Sequence, residues 1–171
     1  MKEHHVFLLQ GSNKKNRKEY LDQSLILISQ KIGKILKKSS YFESEAWNMK
    51  NSPPFYNRAL YVKTSHSPIS LLENILNIEF LIGRIGIKKN HNHYTEEYED
   101  REIDIDILFY DHIIIHSSIL TVPHPLLHMR RFVLEPMCEI IPNKIHPIFN
   151  LTLLDILGVC TDKLNVKKLL N

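Results

Sequence analysis

Asp104 and Asp106 are the residues from which chemistry can start. They lie in the stretch 101–111, REIDIDILFYD, where Ile103, Ile105, Ile107 and Phe109 alternate with Asp104, Asp106 and Leu108. Period-two alternation in a segment of strand formers without Gly or Pro predicts a strand. One face of it enters an apolar core, and the other carries both carboxylates about 7 Å apart. Aspartate is depleted in strands, and two on one face repel unless a cation lies between them. Mg²⁺ suits such a pair, because it takes one or two protein carboxylates and completes its shell with water and substrate phosphates. Two ions about 3.5–4 Å apart could share the carboxylates and clamp a polyphosphate. Arg101 adds a fixed positive charge for phosphate oxygens. The bland alternative is an amphipathic edge strand with a solvated face.

The rest of the chain must position that strand. With 171 residues, 43% hydrophobic and 24% charged, a single domain over 1–171 with a full core is expected. The net charge of +3 fits an anionic substrate and falls short of a dedicated nucleic-acid binder. Cys138 and Cys160 have no metal-motif spacing and suggest no disulfide scaffold, so buried thiols in a reducing compartment are expected. The first residues have too short an apolar run for a signal peptide, and no run of about 18 apolar residues exists. The expected location is cytoplasmic.

Val6 to Leu9 read as a short buried strand ended by Gln10-Gly11-Ser12-Asn13, with Gly11 permitting a tight turn. No G-x-x-x-x-G-K-S/T phosphate loop occurs. Leu21, Leu25, Ile28, Ile32 and Ile35 recur at helical spacing and predict a helix over about 18–34. A strand over 35–47, a loop over 48–54 and a strand over 55–63 follow. Ser67 and Pro68 mark the start of a helix that ends near Gly83. Glu79 falls among its apolar positions, either snorkelling at the core edge or facing a site.

The most polar stretch, 84–100, lacks periodicity and reads as a mobile functional loop. His91 and His93 within it have no further ligand pattern, which favours a solvated loop. A short strand is expected at 113–115. In 120–132, Pro123 and Pro125 hold His124 in an extended turn, and Arg130, Arg131 and Phe132 combine charge with an aromatic ring. Short helices over 134–141 and 151–157 and an edge strand over 166–170 complete the chain. This order predicts an α+β fold: a ferredoxin-like α/β sandwich whose central, mainly antiparallel sheet carries packed helices and a C-terminal extension.

Four motifs now stand in order: Gly11-Ser12-Asn13, Phe55-Tyr56-Asn57-Arg58-Ala59, the Arg-x-x-Asp-x-Asp-Ile-Leu stretch at 101–108, and Val122-Pro123-His124-Pro125 followed by Arg130-x-Phe132. Together they resemble the 6-hydroxymethyl-7,8-dihydropterin pyrophosphokinase family of folate biosynthesis, over nearly the whole chain. The resemblance implies an ATP-dependent diphosphotransferase that moves the terminal pyrophosphoryl group of ATP to the pterin's hydroxymethyl oxygen and releases AMP. It implies that Asp104 and Asp106 hold two Mg²⁺ ions. It further implies that Arg101, His124 and Arg130 act on the ATP phosphates as part of the catalytic set, and that Glu79, Arg84 and Ile107 belong to the ATP site.

Phe55 and Phe132 match the aromatics that sandwich the pterin ring, and Asn57 the residue that hydrogen-bonds its edge. Ser44, Glu45, Ala46 and Trp47 fall where a family loop lends backbone contacts to the pterin. The implied partners are ATP and the pterin, without nucleic acid or membrane, and a monomer is expected.

Physical chemistry agrees with these roles. A flat heteroaromatic ring gains from stacking, an amide reads a donor–acceptor edge, and phosphoryl-type transfer needs positioning and charge neutralisation. The 84–100 loop is expected to close over ATP and exclude water. The chain departs from the family at Gly86, where an arginine is common, and at Tyr98-Glu99-Asp100, which replaces a Trp-Gly-Pro type sequence. Glu45-Ala46 replaces the usual prolines, Arg131 replaces a small residue, and Lys88 and Lys89 substitute only electrostatically. One rival reading is another two-metal phosphoryl or nucleotidyl transferase, which leaves Phe55, Asn57 and Phe132 unexplained. The other is an RNA-binding module, which predicts a basic, aromatic sheet face where this sequence offers an acidic one.

Overall fold

The first strand continues past its apolar residues. In the computed structural model, which describes residues 1–83 and 100–170, strand β1 spans His4–Ser12, so Gly11 is a strand residue and not the turn expected from sequence. After it come α1 (Arg17–Lys31), β2 (Gly33–Lys38), β3 (Phe42–Ser44), β4 (Phe55–Thr64), α2 (Pro68–Ile82) and β5 (Asp104–Tyr110). A small hairpin of β6 (Ile115–His116) and β7 (Thr121–Val122), then α3 (Arg131–Ile140), α4 (Leu153–Val159) and β8 (Val166–Lys168), complete the described order. The loop expected over 84–100 lies outside the described residues except for Asp100. So do Arg84, Gly86, Lys88, Lys89, His91, His93, Tyr98 and Glu99.

The main sheet runs β5-β1-β4-β3-β8 with β2 also on β4, and its pairings are antiparallel. β2 and β3 are two halves of one interrupted strand. They pair with successive parts of β4, and between them Ser39 N–H donates to Ala59 O while Ala59 N–H donates to Ser39 Oγ, both at 2.9 Å. Counted so, the order is that of the ferredoxin-like sandwich. The helix expected to reach residue 34 stops at Lys31 with Ile32 as its cap. A Cβ on Gly33 would meet Lys63 O at 2.1 Å, so only glycine lets the chain enter the sheet there. At α2, Ser67 Oγ accepts the Ser70 N–H and Gly83 ends the helix at φ +125°.

Both faces of the sheet carry helices. Leu21 and Ile28 of α1 and Leu71, Ile75 and Ile78 of α2 pack on Val6, Leu8, Leu60 and Val62. On the other face Val133, Leu134 and Met137 of α3 and Leu153 and Ile156 of α4 cover Phe7, Leu9 and Ala59. Each such fully buried aliphatic side chain contributes roughly 1.5–3 kcal/mol. The third helix starts at Arg131, earlier than the sequence pattern suggested, so Phe132 rides on its first turn and not in a loop.

In β5 the expected alternation holds only to Ile107. Leu8 pairs with Ile107 and Phe7 with Phe109, which leaves Leu108 as an extra residue in a bulge. Ile103, Ile105 and Ile107 therefore face the α1/α2 core, whereas Leu108 and Phe109 both enter the α3/α4 core. No described helix is long and apolar enough to cross a membrane.

Candidate active site

The antiparallel register sets one row across three strands. Gly11 pairs with Asn57 on one side and with Asp104 on the other. Two strand spacings put Asn57 and Asp104 roughly 10 Å apart. Gly11 keeps the space between them open, since a Cβ there would come within 3.2 Å of Asn57 Oδ1 and 3.6 Å of the Phe55 ring. One row further in, Leu9 pairs with Ala59 and with Asp106. The row thus forms the floor of an open cleft at the end of the sheet.

Asn57 is 2% exposed and its Nδ2 donates to Ser44 Oγ at 2.8 Å, which turns Oδ1 toward Gly11 as an acceptor. Phe55 and Phe132 line the same cleft. At the acidic end, Arg101 pairs with Asp104 at 3.1 Å. Burial, and next the Asp104 carboxylate, push the Asp106 carboxyl up to about 8 against the pull of Arg130 and Arg101. Two adjacent carboxylates in that state form a donor set that fits a hard divalent cation. Among the described residues no group of three or more His, Cys, Asp or Glu forms a self-sufficient metal cage, so a cation here would draw on water or a ligand's oxygens.

His124 follows a cis Val122–Pro123 bond, and its backbone N–H donates to Leu108 O. Its Nδ1 accepts the Leu126 N–H at 3.2 Å. Burial and Arg130 lower its pKa to about 4 despite Asp104, so near neutral pH the ring is uncharged and its proton sits on Nε2. Arg130 is 6% exposed and lies over the Trp47 ring. Glu79 neither snorkels nor faces the cleft. It is 2% exposed and accepts the Ile105 N–H at 2.8 Å, bracing β5 between its two aspartates.

Of the residues singled out from sequence, Ser44, Glu45, Trp47, Phe55, Asn57, Arg101, Asp104, Asp106, Arg130 and Phe132 meet in this cleft. Ala46, Glu79, Ile107 and His124 do not line it, and the Ile107 side chain is in the α1/α2 core. Leu9, Gly11 and Met49 line it without having been foreseen. Asn13 enters the sequence reading as the last residue of the Gly11-Ser12-Asn13 motif, without a site role. Its Oδ1 accepts the Arg101 N–H at 2.8 Å and its Nδ2 donates to Asp100 Oδ1 at 2.7 Å, tying the end of β1 to the start of the acidic strand. The signal available for Gly11 was a glycine directly after a buried apolar run, where a glycine in a strand marks close approach.

A family model for 7,8-dihydro-6-hydroxymethylpterin-pyrophosphokinase matches residues 7–142. The chain is 39% identical over 144 residues to a 2-amino-4-hydroxy-6-hydroxymethyldihydropteridine pyrophosphokinase of Aquifex aeolicus, covering 84% of each. It is 34% identical over 138 residues to the protein of that name from Bacillus subtilis, covering 79% of this chain and 77% of the relative. A folic acid synthesis protein of Pneumocystis carinii shares 35% identity over 86% of this chain, which spans only 19% of that longer protein. The fold matches the crystal structure of Plasmodium falciparum HPPK-DHPS with TM-score 0.72 at 19% identity, over 92% of this chain and 43% of that one.

Proposed function

The chain belongs to the 7,8-dihydro-6-hydroxymethylpterin-pyrophosphokinase family and is a pyrophosphokinase of folate biosynthesis, and from that premise we propose how its cleft works. ATP donates its terminal pyrophosphoryl group to the hydroxymethyl oxygen of 6-hydroxymethyl-7,8-dihydropterin. A bond forms between that oxygen and the β-phosphorus, the bond from the β-phosphorus to the α-phosphate oxygen breaks, and AMP leaves. The observation that carries this reading is the row Asn57–Gly11–Asp104. An edge-reading amide and a charged phosphate end stand one flat heterocycle apart, with open floor between them.

In this reading Phe55 and Phe132 stack on the two ring faces. Asn57 Oδ1, oriented by Ser44, accepts from the pterin edge, and the backbone of 44–47 closes that side. Arg101 and Arg130 hold phosphate oxygens, and His124 offers its Nε2 proton to another. Asp104 and Asp106 would hold Mg²⁺, two ions in our reading, which supplies charge neutralisation and orientation of the polyphosphate when bound. Arg84 and Ile107 complete the nucleotide site, Ile107 through its backbone because its side chain belongs to the core. Glu79 serves that site by holding β5.

We take 1–171 as one domain acting as a monomer in the cytoplasm. An RNA-binding module would need an open sheet face, and here helices pack on both. Another two-metal transferase would give no reason for Asn57 and two phenylalanines beside the carboxylates. Incubation with ATP, Mg²⁺ and 6-hydroxymethyl-7,8-dihydropterin tests the reading. Pterin-dependent AMP is expected; ADP, or nucleotide turnover indifferent to pterin, would contradict it.

A further inference from the structure

Trp47 is the only tryptophan in the chain, and the reading above gives its backbone a part but its indole none. The indole lies in the cleft wall, with the Arg130 guanidinium carbon 4.5 Å from its ring centroid and 5.6 Å from that of Phe132. A tight turn delivers it: Met49 N–H donates to Ala46 O at 3.4 Å, and Asn48 takes the left-handed region at φ 56°. Arg130 itself is only 6% exposed. A guanidinium over an indole is attracted to the ring face, and the planar N–H fork at its edge matches the geometry of phosphate oxygens. The charge so held reaches both Asp106 and His124.

We propose that the Trp47 indole is a positioning residue for Arg130. It aims the guanidinium edge at the nucleotide's phosphates and ties the pterin-side loop to the phosphate end of the cleft. This rests on the proposed function for what Arg130 binds, but the stack itself does not.

Two readouts test it. In the ligand-free protein the sole tryptophan reports the stack directly, and Arg130→Ala shifts its emission; unchanged emission would overturn the proposal. In turnover at saturating pterin, Trp47→Leu lowers kcat/KM for ATP about tenfold, the order expected for a desolvated cation–π contact. Trp47→Phe, which keeps an aromatic face, recovers most of that loss. In an Arg130→Ala background Trp47→Leu changes kcat/KM for ATP less than twofold. The same factor in both backgrounds, or a loss confined to the KM for pterin, would mean that the indole packs without positioning Arg130. If Trp47→Leu does not fold, the emission of Arg130→Ala and the kinetics of Trp47→Phe decide. A native protein that makes no pterin-dependent AMP would sink the proposed function and leave the emission test standing.

Discussion

Arg58 and Asn57 are neighbours on β4 whose side chains leave opposite faces of the sheet, and their surroundings differ in kind. Arg58 is 2% exposed and donates Nε to Gln10 Oε1 at 2.8 Å, Nη1 to Asp22 Oδ1 at 3.1 Å and to Tyr41 Oη at 2.9 Å, and Nη2 to Leu21 O at 2.8 Å. Tyr41 closes the circuit by donating to Asp22. The protein answers this charge from within. On the Asn57 side, two carboxylates share one strand face, and Asp106 is driven far above the ordinary carboxylate range by burial and by its neighbour. A polar cluster satisfied internally stabilises the fold; one kept under internal repulsion is arranged for something that arrives.

The contrast predicts mutations of opposite character. Asp104→Ala or Asp106→Ala lowers turnover by roughly 10²–10³-fold or more. The melting temperature of Asp106→Ala does not fall near neutral pH, because the burial and the Asp104 charge that oppose ionisation of its carboxyl no longer act; calorimetry beside steady-state kinetics checks both. Arg58→Ala does the reverse. It leaves Gln10 Oε1 without its buried donor and Asp22 without its ion pair, and costs about 3 kcal/mol of stability in denaturant unfolding. The protein that remains folded keeps near-native kcat, and a collapse of kcat with stability intact would erase the distinction. Phe132→Ala is milder, raising the KM for pterin about tenfold and that for ATP by less. Equal losses for both substrates would remove Phe132 from the pterin side.

Much of this was legible in the chain itself, and the failures share a cause. The acidic strand, the helix from Ser67 to Gly83 and the edge strand at Val166 follow from local periodicity and caps, and the structure has them there. The bulge at Leu108 was not legible, because a period-two reading assumes an uninterrupted ladder and the extra residue shows only against the partner strand. Gly11 reads as a turn in the sequence because its role is an empty volume between Asn57 and Asp104, which belong to distant segments. The Asn13–Arg101 tie and the Trp47–Arg130 stack likewise join residues far apart in sequence.

The most direct test of the central claim is a pair of melting curves for the native protein and Asp106→Asn. Because the folded Asp106 carboxyl is raised above its unfolded value, its ionisation opposes folding; the penalty is absent below about pH 4 and grows as pH rises toward 8. With EDTA at pH 8, Asp106→Asn should melt above the native protein, and the gain should vanish at acid pH. With Mg²⁺ and α,β-methylene-ATP the order should reverse, since ligand that binds the folded state stabilises it in proportion to affinity. An Asp106→Asn protein that melts below the native one with EDTA and gains as much from the nucleotide would contradict the account.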